Sequence, residues 1–155
     1  LANVLDGPAL QQLRSSRKLQ KQVVTLRQWQ QRLGGADPAG QAEALSEDQR
    51  LQLHRELEET LPALVVDWPV PRAQRWLERW RDNGDQLFHP QPAIDGLSLQ
   101  RELHLQPSPA LGDLLLHLMQ EQAFGRLRSR DEALQRARQW LASAELTGGR
   151  AARRD

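Results

Sequence analysis

Along this chain apolar residues return every three or four positions, the period of one helix face. Between Pro8 and Leu33 the residues Leu13, Leu19, Val23, Leu26 and Leu33 share one broad face. Arg14, Arg17, Lys18, Lys21 and Arg32 gather on the other flank, with Trp29 at its edge. Pro8 suits a first helical turn and Gly34-Gly35 a stop, so the first helix is expected there. Residues 34–45, rich in Gly and Ala around Pro38, read as a flexible connector. Ser46 with Gln49 forms a capping box that opens a second helix; Leu53, Leu57 and Leu61 are its stripe, and Pro62 ends or kinks it. A third helix follows Pro69 and Pro71, with Ala73, Trp76, Leu77 and Trp80 inward, until Asp82-Asn83-Gly84-Asp85 stops it.

Pro90 and Pro92 exclude regular helix from the next stretch. Asp95 is the expected cap of a short helix from Gly96 to about His104. Ser108 and Pro109 open a fifth helix, whose Leu111, Leu114, Leu115, Leu118 and Gln122 make it the expected central core helix. Gly125 ends it, and Ser129 with Glu132 opens a sixth helix through Leu141. The tail from Thr147, rich in Gly and Arg, is expected to be disordered. The fold class is therefore all-α, about six helices joined by short Pro/Gly-rich turns. The expected organisation is a helical body over 1–86 with a basic first helix, a C-terminal helical tail block over 87–146, and a disordered end over 147–155.

Composition strengthens the helical reading. Six Val, one Ile and three Thr leave little for strands, while Leu, Ala, Gln, Arg and Glu dominate. The absence of cysteine excludes disulfides, thiolate metal sites and a thiol nucleophile. The chain begins at Leu1 and its only methionine is Met119, so it reads as a piece of a longer polypeptide. No leader is legible, and the apolar runs are too short for a membrane helix; a cytoplasmic protein is expected, without a membrane partner.

Net charge is only +1, but it is unevenly spread. Residues 1–32 carry six basic and one acidic residue, residues 33–119 seven and fourteen, and residues 120–155 eight and five. Basic ends around an acidic middle suit a polyanionic partner; solvated helix faces account for the same pattern. Catalytic grammar is missing. His54, His89, His104 and His117 lack zinc-helix spacing, and no phosphate loop, nucleophile elbow or paired-aspartate motif is present. The turn at Asp82 lacks the alternating ligands of a calcium loop. Trp29 and Trp140, near basic residues, are the tryptophans with the best claim to stack on bases.

One block is more specific. It runs through Pro90, Pro92, Ile94 and Gly96, then Leu105, Pro107, Ser108, Pro109, Leu111, Gly112, Leu114 and Leu115, then Gly125, Leu127, Glu132, Ala133 and Leu134. This succession resembles the C-terminal region of the class II, bacterial-type tRNA nucleotidyltransferase and poly(A) polymerase family, cyanobacterial members in particular. Ser98-Leu99 and His104 depart from the family's pattern, at positions where Asp-Leu and Gly are common. The matching residues encode turns and helix starts; Gly112 is read as leaving room for another backbone.

The resemblance implies a division of labour. An N-terminal catalytic head and a neck, outside this chain, use Mg and CTP or ATP; the helical body and tail hold the acceptor and TψC arms of tRNA. On that reading the fragment has no catalytic residue and no cofactor of its own, and its partners are tRNA and the head and neck of the same polypeptide. The candidate phosphate-binding side chains are Arg14, Arg17, Lys18, Lys21 and Arg32 on the first helix and Arg126, Arg128 and Arg130 near Gly125, with the amides opening the sixth helix beside them. The alternative is a helical protein-interaction or dimerisation module without a nucleic-acid role. Neither reading fixes the oligomeric state.

Overall fold

The computed structural model describes residues 7–152, with side chains described over 8–145. Among the described residues there are eight helices and no strand: α1 (Gly7–Arg32), α2 (Pro38–Glu43), α3 (Glu47–Glu56), α4 (Leu61–Val65), α5 (Val70–Arg81), α6 (Gly96–Leu103), α7 (Pro109–Ala123) and α8 (Arg130–Ala152). The chain divides into two compact units, Leu1–Asn83 and Gly84–Asp155, where the sequence reading set the boundary after Gln86.

The six helices expected from the sequence are present, and two short ones join them. The connector at 34–45 contains α2: Asp37 accepts a hydrogen bond from the Gly40 amide (3.0 Å), and Pro38 opens the first turn. Ala39 and Ala42 are fully buried, so this segment belongs to the core and is no loose connector. Pro62 ends nothing. The α3 helix has already stopped, its Leu57 amide closing on the Leu53 carbonyl (2.9 Å), and Pro62 lies in the first turn of α4. The last helix continues past Leu141 to Ala152. The tail expected to be disordered from Thr147 is thus helical backbone as far as Ala152, and 153–155 lie outside the described residues.

In the first unit Leu33, Leu53, Leu57, Leu61 and Val65 are almost wholly buried, with Trp29, Trp68 and Trp76. Trp68 meets Trp76 edge to face at 4.8 Å. The Trp80 indole donates to the Glu58 carbonyl (2.7 Å), and Arg72 of α5 pairs with the α2 cap Asp37 (2.9 Å). Only the end of α1 joins this core. Leu13 and Leu19, expected on the buried face, are 45% and 61% exposed, while Leu33 is 1% exposed. The earlier turns of α1 therefore run uncovered, a length effect that helical periodicity alone does not reveal.

The second unit packs α7 against α8. Its core joins Ile94, Leu99, Leu114, Leu118, Leu127, Ala133, Leu134 and Ala137. Burying one leucine is worth about 1.5–3 kcal/mol, whereas an exposed ion pair is worth about 0–1 kcal/mol, so packing holds these helices together. The caps read from sequence form as expected: Asp95 accepts from the Ser98 amide (2.7 Å) and Ser108 from the Leu111 amide (3.3 Å). Gly125 takes φ +79, which ends α7 without a Cβ penalty. His104 ends α6 with φ 54 and ψ 45, a left-handed cap that glycine adopts far more readily. Gly112 differs from expectation: a Cβ there meets no atom within 4 Å, so no backbone approaches it.

Candidate nucleic-acid interface

The basic flank of α1 stands on its uncovered face. Arg14, Arg17, Lys18, Lys21 and Arg32 are all exposed. Arg14, Arg17 and Lys21 have no ion partner among the described residues. Arg32 lays its guanidinium over the Trp29 ring, 4.7 Å from the centroid. Lys18 is engaged, its Nζ lying 3.1 Å from Glu59.

Where α1 passes α3, their side chains border an open groove of about 560 Å³. Lys18, Lys21, Gln22 and Thr25 line it from α1; Gln52, Arg55 and Glu56 line it from α3. The spacing explains the arrangement, because residues three and four apart on a helix share a face. A smaller hollow of about 180 Å³ shares Gln22, Arg55 and Glu56 and reaches Glu58, Glu59 and Thr60.

Two carboxylates accept hydrogen bonds across the groove. Glu56 accepts from the Trp29 indole (2.6 Å) and from Gln52 (3.1 Å), bracing α1 on α3. Glu59 accepts from Lys18 (3.1 Å) and Gln22 (2.7 Å), donors one turn apart on α1. The Lys18 and Gln22 hydrogen bonds hold the Glu59 carboxyl below the usual carboxylate range. At the same end the buried Thr60 hydroxyl oxygen has no hydrogen-bond partner among the described residues. Arg55 escaped the sequence reading because it stands among Glu56, Glu58 and Glu59. Its signal was position: it lies three residues after Gln52, on the α3 face turned toward α1.

The second unit treats its candidates differently. Arg126 donates to Glu121 (3.0 Å), as does Arg136 (3.2 Å), both to Oε2 of that buried carboxylate. Arg130 pairs with Glu102 (3.2 Å). Arg128 keeps an exposed side chain, while its backbone amide donates to Glu132 (3.0 Å). Ser129 accepts from the Glu132 amide (3.2 Å). Around the start of α8, the Arg128 and Glu132 amides are thus taken by the protein's own side chains. Trp29 differs from expectation: at 3% exposed it offers no open face for a base, while Trp140 is half-buried against the core of the second unit.

His54 is buried, accepting from Arg50 Nε (2.9 Å), and its ring lies 5.2 Å from that of Trp76. Among the described residues no three His, Asp or Glu side chains converge as a metal site. No helix of the described residues is long and apolar enough to cross a membrane.

No family model matches this chain, and no solved structure matches it. A curated relative is similar to part of it. Over 58 residues the chain is 40% identical to a protein of Synechocystis sp. (strain ATCC 27184 / PCC 6803 / Kazusa) described as "CC-adding tRNA nucleotidyltransferase". That stretch covers 37% of this chain and 14% of the relative, so the chain spans a small share of that protein's length. The similarity supports a relation to tRNA nucleotidyltransferases over the matched stretch.

Proposed function

We propose that this chain is a tRNA-holding helical part of a class II, bacterial-type tRNA nucleotidyltransferase, belonging to its C-terminal region. In this reading the transfer of CMP or AMP is performed elsewhere in a longer polypeptide. The present helices grip the acceptor and TψC arms through phosphate contacts. The observation that carries the reading is the exposed basic flank of α1, continued by Arg55 across the α1–α3 groove. Cations along an open groove track a phosphate backbone without reading its sequence. The 40% identity to part of a CC-adding enzyme gives tRNA as the RNA of interest. Arg128 remains a candidate in the second unit, whereas Arg126 and Arg130 must first release carboxylates.

The test is a titration of the chain with tRNA over a range of salt. Each phosphate neutralised adds about 0.7–0.9 to the slope of log K against log salt, so Arg14, Arg17, Lys21 and Arg55 together predict a slope near 3. Absence of any complex at low salt overturns the reading.

A second reading, a protein-interaction or dimerisation helix, has one observation in its favour. Leu19 is 61% and Val24 54% exposed on the same uncovered helix. It predicts self-association that salt does not weaken, and no preference for tRNA.

A further inference from the structure

Five of the groove's lining residues carry amide or charged donors, yet its best-placed pair is already occupied. Lys18 Nζ and Gln22 Nε2, one turn apart on α1, converge on a single carboxylate, that of Glu59. Two adjacent donors, one cationic, on two oxygens of one anion is also how a phosphodiester is held. From this juxtaposition we infer that the Lys18–Gln22 clamp is a phosphate subsite of the groove, kept closed by Glu59, which RNA must displace. This rests on the RNA-holding reading above.

Three further observations agree. The pair is exposed on both sides, Lys18 at 64% and Glu59 at 61%, so a competing anion reaches it without unfolding anything. An exposed pair of this kind contributes little to stability, so its opening is cheap. The buried Thr60 hydroxyl, without a partner at the same end, shows that the closed arrangement does not satisfy every polar group there. Glu56 is a different case. It braces Trp29, a core residue, and its release would disturb the fold. Of the two carboxylates, then, Glu59 is the one free to move aside.

The device makes occupancy conditional. A lone phosphate at low concentration competes poorly with a carboxylate that is always present. A polyanion already anchored at Lys21 and Arg55 presents its next phosphate at high effective concentration and displaces Glu59. The subsite thus favours chains of phosphates over free phosphate.

The test compares the full chain with Glu59→Gln, Lys18→Ala, Arg55→Ala and the double variant Lys18→Ala/Glu59→Gln, using tRNA as the probe. Glu59→Gln keeps the size of the side chain and removes the competing charge. Unit charges about 4 Å apart in water correspond to about fivefold in an equilibrium constant, so Glu59→Gln should bind tRNA about fivefold tighter at low salt. Lys18→Ala should lower the salt slope of the parent by about 0.7–0.9, the one phosphate contact that the opened subsite makes. The gain in affinity should vanish in the double variant. In an inorganic phosphate competition at constant ionic strength, the parent chain should keep its tRNA at millimolar phosphate. If Glu59→Gln binds no tighter while Arg55→Ala still weakens binding, the closed subsite is refuted and the RNA reading stands. If none of these chains, including the parent, binds tRNA, the underlying reading is what fails.

Discussion

Replacing Trp29 with phenylalanine separates the two roles open to that side chain. As a base-stacking platform it would be worth about 1–3 kcal/mol to the RNA complex against alanine; the smaller phenylalanine ring would keep only part of that and leave the fold nearly unchanged. The structure gives it another role: it is 3% exposed, and its indole donates to Glu56 at 2.6 Å. Phenylalanine cannot make that bond. A hydrogen bond to a charged group is worth about 1.5–3 kcal/mol, and the exposure of Glu56 puts this one at the lower end. Shrinking the ring adds a small cavity, so the sum is about 2–3 kcal/mol. In a domain of 60–100 residues each kcal/mol moves Tm by about 4–8 °C, which predicts a fall of roughly 10–20 °C for the first unit. Tryptophan fluorescence reports it, since Trp68, Trp76 and Trp80 remain there and only Trp140 lies in the second unit. Measured well below Tm, tRNA affinity should be unchanged. A melting point within about 2 °C of the parent, together with a several-fold loss of affinity, would refute the assignment.

Two other substitutions probe the second unit. His104→Gly removes a side chain from a left-handed position and should stabilise the unit by about 0.5–1 kcal/mol; denaturant unfolding followed by circular dichroism measures it, and a destabilised variant would mean that the imidazole makes a contact worth more than the strain. The Asp95 carboxyl is held below the usual range, first by the Ser98 amide and then by the Ser98 side chain. Its folded pKa is therefore below its unfolded one, so its stabilisation is complete above the unfolded value of about 3.9 and is lost as pH falls through the folded value. Asp95→Asn, which caps without titrating, should flatten the stability of the unit against pH in that acid window, and parallel acid-unfolding curves for parent and variant would disprove the linkage.

Local signals in the sequence carried most of the fold. Ser46-Gln49, Asp95, Ser108 and Gly125 each determine a helix start or stop by themselves, and each does so in the structure. What failed was judgement about length and company. Asp37-Pro38 is as good a helix start as Ser108-Pro109, but six residues among glycines read as a loop. Periodicity assigned Leu13 and Leu19 to a buried face, whereas the structure covers only Gln22, Thr25, Leu26, Trp29 and Leu33 farther along and leaves both leucines exposed. The candidate cations were readable as a flank of α1. Their fates were not, because Glu59, Glu102 and Glu121 come from elsewhere in the chain. Arg55 was hidden for the complementary reason: in sequence it stands among carboxylates, and only the fold brings it beside Lys18 and Lys21 of α1.

The two guanidiniums that meet Glu121 share one oxygen atom, one arriving from the turn after α7 and the other from α8. They are therefore rivals as well as partners. Weakening either leaves more of that oxygen's negative charge to the other, so their separate removals should cost less than removal of both together. The turn after α7 and helix α8 thus share a single acceptor in addition to their packed core, and a double-mutant cycle on Arg126 and Arg136 would read it as a non-additive pair.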